Sequence, residues 1–153
     1  MKKTPRLLFL CKHNAARSQM AAGFVHAMAG DRFAALGAST EPTPVDPLAI
    51  AAMKETGIDI SHQPAETVSE LFKIHFAYVI AMCEESKERC PIFPFTFHLL
   101  RWDVEDPNQT DGPESERLAA FRRVRSVIEK DVKQFLYSVQ PGTTLNARQR
   151  VNS

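Results

Sequence analysis

Cys11 opens the run Cys11-Lys12-His13-Asn14-Ala15-Ala16-Arg17-Ser18, which sets a thiol six residues before a guanidinium and seven before a hydroxyl. Together these groups can act on a tetrahedral oxyanion. A thiolate is a strong nucleophile. Arginine offers a planar fork that binds two oxygens side by side, and Ser18 can donate a hydrogen bond to the sulfur. The bland alternative makes Cys11 a small buried hydrophobe and Arg17 a solvated charge, since the two types fall six apart often enough by chance. The flanking elements weigh against it. Leu7, Leu8, Phe9 and Leu10 read as a strand buried on both faces. From Ser18 to Ala29 the apolar positions Met20, Ala21, Phe24, Val25 and Met28 read as an amphipathic helix stopped by Gly30. Between strand and helix, free N–H groups and the positive end of the helix dipole converge on the loop, which holds an anion and favours a thiolate.

A second pair of sulfurs, Cys83 and Cys90, is spaced by seven residues. On a helix that spacing sets them about 10.5 Å apart, whereas a disulfide needs Cα atoms within roughly 7 Å. The two cannot pair while residues 84–89 are helical. That segment (Glu84, Glu85, Ser86, Lys87, Glu88, Arg89) is wholly polar, so rearranging it exposes little apolar surface, and Pro91 resists a helix running through Cys90. Without such a rearrangement the pair would be two incidental cysteines on a solvated helix.

The remaining elements must position these groups. Arg6 to Leu10 is the first strand and Phe33 to Ala38 a short second one. Asp46-Pro47 starts a helix, with a capping residue and then proline at the first helical position, and Gly57 ends it. A helical stretch near Ser69 to Lys73 precedes a buried strand at Ala77 to Met82, and Thr96 to Trp102 reads as a fourth strand. Leu118, Phe121, Val124, Ile128, Val132, Phe135 and Val139 step by three or four along one face of a long helix, ended by Pro141-Gly142. Strands alternating with helices predict a single α/β domain over residues 1–142 with a mainly parallel sheet. Residues 143–153 read as a polar, flexible tail.

Composition narrows the class. The chain has 153 residues, 44% hydrophobic and 24% charged, as an ordinary globular domain does. Nineteen Lys and Arg against 18 Asp and Glu leave a net charge of +1, which argues against binding nucleic acid or membrane by bulk charge. No apolar run is long enough for a membrane span, and the basic start, Met1 to Arg6, lacks a signal-peptide pattern. Three cysteines are an odd number for a disulfide scaffold and suit a reducing compartment. A cytoplasmic protein is expected. The five histidines have no metal-ligand spacing, and His13 reads as a loop residue.

The Cys-x5-Arg-Ser run after the first strand resembles the start of the low-molecular-weight phosphotyrosine phosphatase superfamily. Cys11-x2-Asn14-x2-Arg17-Ser18-Gln19-Met20-Ala21 is more similar to its thioredoxin-coupled arsenate reductase branch. The likeness continues through Ala49 to Lys54, Ile58-Asp59-Ile60-Ser61, Cys83-x6-Cys90-Pro91, Trp102, Asp106-Pro107 and Phe121 to Arg125. The phosphatases share the loop and the Asp-Pro pair, whereas the Cys83/Cys90 pair marks the reductases. The resemblance implies a four-stranded parallel sheet in order 2-1-3-4 with helices on both faces. Cys11, Cys83 and Asp106 would then stand at the carboxyl ends of strands one, three and four, around the crevice where the winding reverses.

It also implies the chemistry. Residues 12–18 (Lys12, His13, Asn14, Ala15, Ala16, Arg17, Ser18) would hold arsenate or a phosphate-like oxyanion, with Cys11 attacking and Asp106 protonating the departing oxygen. Cys83 and then Cys90 would relay the oxidation to thioredoxin. No metal or organic cofactor is implied, and a monomer is expected. Asp103, Glu105 and Asp111 are alternatives to Asp106 if the loop is shifted.

Two departures from the family pattern stand out. His13 occupies a loop position where glycine is common, and Ala22 replaces a glutamate that binds potassium in some reductases, although Asn14 matches that site. Potassium dependence is therefore not predicted. The alternative function is a low-molecular-weight protein-tyrosine phosphatase acting through a Cys11 phosphocysteine. Such enzymes use aromatic residues after the Asp-Pro pair, where this chain has Asn108 and Gln109. A further rival, from another class, is a non-catalytic oxyanion-binding or redox-sensing module.

Overall fold

The computed structural model describes residues 4–12, 16–41, 43–84, 93 and 98–139. Five parallel strands form one sheet: β1 (Arg6–Cys11), β2 (Ala34–Ser39), β3 (Glu66–Thr67), β4 (Tyr78–Cys83) and β5 (Leu99–Asp103), in the order β3-β2-β1-β4-β5. The four long strands have the expected order 2-1-3-4. The fifth, β3, is a two-residue edge strand too short to leave an alternating pattern, so four strands becomes five. The described part of β5 begins at Leu99; Thr96, where a fourth strand was expected to start, lies outside the described residues, as do Cys90, Pro91 and the tail from residue 143.

Three α-helices follow the strands: α1 (Ala16–Ala29), α2 (Pro47–Lys54) and α3 (Glu114–Ser138). The start of α2 is built as its sequence demands, with the Asp46 carboxylate accepting from the Leu48 N–H at 2.8 Å and Pro47 next. Glu55, just past its end, pairs with Arg122 and Arg125 on α3, whose hydrogen bonds hold its carboxyl down to about 2. A 3-10 turn at Val68–Leu71 stands where a helical stretch was expected, and a second, at Pro107–Gln109, follows β5. None of the helices among the described residues is long and apolar enough to cross a membrane.

The pleat of the sheet sorts the core into two clusters. Leu7 and Phe9 of β1, Ile80 and Met82 of β4, and Leu100 and Trp102 of β5 join residues from all three α-helices in the larger one. Leu8, Leu10, Val79 and Ala38 point the other way, against Val68, Leu71, Phe76 and Phe93. On this second face the helical cover among the described residues is the 3-10 turn.

The first helix departs from its amphipathic reading. Every residue from Ala16 to Val25 is buried, including Arg17, Ser18 and Gln19. It lies between the sheet, α2 and α3, and on its polar side Gln19 donates to the Pro64 carbonyl at 2.7 Å and accepts from Gln63. Hydrogen bonds to a neighbouring loop replace the water an exposed face would have met.

Close approach of α1 to the sheet depends on Gly37 of β2. A Cβ there would lie 3.0 Å from the Ser18 carbonyl carbon and oxygen and 3.1 Å from Gln19 Cδ. Two of those atoms are helix backbone and have little room to yield. The Gly37→Ala variant should therefore lose about 1–3 kcal/mol of stability through overpacking, read from the urea midpoint. An unchanged midpoint would show that α1 can step away from the sheet at no cost.

Candidate active site

Four segments meet at the carboxyl edge of the sheet. Cys11 is the last residue of β1 and is fully buried, and its Sγ lies 3.1 Å from Ser18 Oγ in the first turn of α1. The end of β1 and the first turn of α1 thus bring together a thiol and a hydroxyl seven positions apart in sequence. Arg17 is only 1% exposed, which removes the reading of a solvated surface charge. Burying a guanidinium is costly unless its donors are used, and Nη1 donates to the Val104 carbonyl at 3.0 Å.

Val104 also joins the site to β4, since its N–H donates to the Cys83 carbonyl at 3.1 Å. One peptide segment just past β5 thus ties the end of β4 to the start of α1. Two residues on is Asp106, 4% exposed. Its Oδ1 accepts from the Asn108 N–H at 3.0 Å and its Oδ2 from Gln109 Nε2 at 3.5 Å, which fixes the carboxylate as the cap of the Pro107–Gln109 turn. The three alternatives to Asp106 lie elsewhere: Asp103 and Asp111 are exposed, and Glu105 pairs with Arg123 on α3 at 2.6 Å. Asp103 and Glu105, with Glu84, line a separate cleft of about 240 Å³.

Lys12 is half-buried, and its carbonyl accepts from Thr40 Oγ1 at 3.0 Å, bracing the chain as it leaves β1. His13, Asn14 and Ala15 lie outside the described residues; Ala16, Arg17 and Ser18 are buried at the start of α1. Sequence reasoning passed over two neighbours of these groups. The carbonyl of Val104 carries no side-chain signature, and Ser39 becomes visible only through strand register, which sets it beside Cys11. No group of three His, Cys, Asp or Glu side chains among the described residues could hold a metal ion.

Cys11 is outside any disulfide, whereas Cys83 is disulfide-bonded. Register sets Leu10 beside Ala81, so Cys83 lies one step beyond the residue abreast of Cys11. Strand spacing and rise place their Cα atoms roughly 6 Å apart, close enough for a disulfide. Alternation nevertheless aims the side chains apart. Cys11 is in phase with Leu7 and Phe9, and Cys83 with Val79 and Ala81, which face the opposite side of the sheet. The two sulfurs can meet only if the end of β4 or β1 turns over locally.

Burial is the largest influence on Cys11 and pushes its thiol above the ordinary value. The Ser18 hydroxyl and the Arg17 guanidinium pull it down, and the Asp106 carboxylate adds to the rise. The expected preference for thiolate is therefore outweighed here by the cost of a buried charge.

The family profile of low molecular weight phosphotyrosine protein phosphatases matches residues 6–149. An arsenate reductase of Halalkalibacterium halodurans is 37% identical over 129 residues, covering 84% of this chain and 93% of that protein. Among solved structures, an arsenate reductase in the phosphate binding state superposes with a TM-score of 0.74 at 29% identity, over 89% of this chain and 99% of its own. A thioredoxin-dependent arsenate reductase of Corynebacterium glutamicum gives 0.69 at 26% identity, over 91% of this chain and 63% of its own. Fold and site thus define an α/β protein with a buried thiol at a strand-to-helix turn. The chain belongs to the low molecular weight phosphotyrosine protein phosphatase family.

The buried thiol has a pH signature. Since its folded pKa is raised, alkylation of Cys11 in the reduced protein should rise with pH later than for an exposed thiol. The Asp106→Asn variant removes one negative charge and should shift that rise to lower pH, as read from thiolate ultraviolet absorbance. No shift would mean that the carboxylate does not act on the sulfur. The same sign governs stability: what a neutral Cys11 contributes is intact below the ordinary thiol pKa and is lost as pH climbs through the raised one.

Proposed function

We propose that this protein reduces arsenate to arsenite, with Cys11 as nucleophile and Cys83 and Cys90 as a disulfide relay emptied by thioredoxin. The observation that carries this reading is the placement of two sulfurs on neighbouring strand ends, with Cys83 in a disulfide and Cys11, on the adjacent strand, outside one. A hydrolase working through a phosphocysteine needs no second sulfur there. The named activities of the relatives favour the same choice.

In the proposed sequence Cys11, as thiolate, attacks arsenic. The Arg17 guanidinium and residues 12–18 hold the oxygens, and the departing oxygen takes a proton from Asp106 and leaves as water. The product is a thiol–arsenate adduct. Cys83 thiolate then attacks the Cys11 sulfur. The S–As bond breaks with its electron pair staying on arsenic, which leaves as arsenite, and a Cys11–Cys83 disulfide remains. Cys90 attacks Cys83, restores the Cys11 thiol and leaves a Cys83–Cys90 disulfide. A dithiol of the thioredoxin type supplies the two electrons that reopen it. Cys83 is itself fully buried.

The raised Cys11 thiol fits this order of events. The thiol must lose its proton before it attacks, and Arg17 and Ser18 are placed to stabilise the thiolate. The pleat places a further demand on the second step, because Cys83 must rotate toward the face occupied by Cys11. The polar composition of residues 84–89 keeps the cost of that movement low.

The second reading, phosphate-monoester hydrolysis, is favoured by the family match itself; it uses the same thiol, guanidinium and carboxylate. One pair of assays separates the two. With arsenate, thioredoxin, thioredoxin reductase and NADPH, the protein should consume NADPH in an arsenate-dependent way. Cys83→Ser should reduce that consumption to background while retaining hydrolysis of p-nitrophenyl phosphate. NADPH consumption that survives the substitution would remove Cys83 from the route. Aryl phosphate turnover without any arsenate-dependent NADPH loss in the unsubstituted protein would favour the phosphatase.

A further inference from the structure

Ser39 ends β2 as Cys11 ends β1, and the two are register partners in the sheet. Partners in a parallel ladder project to the same face. Ser39 shares its phase with Ala35, in the larger core cluster, and with Gly37, which abuts Ser18 and Gln19 of α1. Its side chain therefore leaves the sheet on the α1 side. It lies one residue pair further toward the carboxyl edge than Gly37, abreast of Cys11 and the start of the helix. The residue is 0% exposed, and its Oγ is a buried polar atom with no hydrogen-bond partner among the described residues.

Leaving a buried hydroxyl without a partner costs about 1–3 kcal/mol, and its neighbours emphasise the cost. Next to it, Thr40 uses its hydroxyl to hold the Lys12 carbonyl, and across the register Cys11 is in contact with Ser18. Alanine already stands at positions 34, 35 and 38 of the same strand, so a small apolar residue is sterically at home there. A hydroxyl adds nothing to packing over alanine. What it adds is a donor, at the positive end of α1, beside the nucleophile.

We infer that Ser39 is a further residue of the oxyanion site. With a tetrahedral oxyanion seated on Cys11, its hydroxyl donates into the hydrogen-bond shell of the anion, to an oxygen or to a water bound to one. The inference rests on the proposed oxyanion chemistry of Cys11 and adds a donor from β2 to those from α1 and the loop. It also places that donor where strand register fixes its backbone, so that it binds without first having to be ordered.

Inorganic phosphate is the probe. Its affinity should be measured by calorimetry for the reduced, unsubstituted protein and for Ser39→Ala, with the thermal midpoint of each recorded without phosphate. Ser39→Ala should weaken phosphate binding about tenfold, the usual cost of losing one hydrogen bond to a charged group. Its midpoint without phosphate should be unchanged or higher, because a buried orphan has been removed. Equal affinity for the two proteins would overturn the inference while leaving the oxyanion reading intact. A lower midpoint in the variant would assign the hydroxyl to the fold and also overturn it. If the unsubstituted protein bound no phosphate, the oxyanion reading would fail first and this inference with it.

Discussion

The contact between Cys11 and Ser18 depends on an unusual demand, that a helix begin by burying its polar residues. Arg17, Ser18 and Gln19 are successive residues of one turn, and all three are shielded from water. Each is held differently: Ser18 by the thiol, Gln19 by Gln63 and Pro64, and Arg17 in part, through Nη1 on the Val104 carbonyl. Removing any one partner would leave a desolvated donor or acceptor, and the penalty for that exceeds the net worth of the bond. The turn is therefore locked from three directions. The lock holds the thiol in a fixed relation to the positive end of the helix.

Burial has two opposed effects on the same sulfur. Taking water away raises the cost of the thiolate, yet it also strengthens every interaction that Arg17 and Ser18 make with negative charge. A thiol placed this way stays neutral longer as pH rises, and once ionised it meets fixed dipoles that need no reorganisation. Asp106 sharpens the balance. A carboxylate capping its own turn is rigid, and its negative charge holds the neighbouring proton on sulfur. Val104 connects these groups mechanically, since its two backbone hydrogen bonds reach Arg17 on one side and Cys83 on the other.

Much of this was legible from residue types, because the groups that react have distinctive side chains. The run from Cys11 to Ser18, the apolar strand before it and the stepwise apolar face of the last helix lead to the observed β1, α1 and α3. What escaped notice depends on register or on backbone. The two-residue strand Glu66–Thr67 is too short to carry a period. The role of the Val104 carbonyl has no side-chain signal, and the burial of α1 on its polar side depends on a loop more than forty residues away in sequence. The position of Ser39 beside Cys11 follows from a pairing register that no local pattern specifies.

The same register explains why the two faces of the sheet differ. Cys11 belongs to the face packed by three α-helices, where Phe9, Phe24, Phe121 and Phe135 are each almost completely buried. Cys83 is in phase with the other face, whose cluster is smaller and whose described helical cover is a single 3-10 turn. Under the proposed relay, movement at the end of β4 would disturb that face, while the packing that holds Cys11, Ser18 and Arg17 would stay in place. Had both sulfurs shared one pleat phase, bringing them together would have needed no backbone change. Any rearrangement beyond that would have strained the helix-packed face that fixes the nucleophile. Under the proposed relay, opposite phases would separate the two requirements, leaving Cys11 on the face packed by the α-helices and assigning the movement to Cys83 on the other.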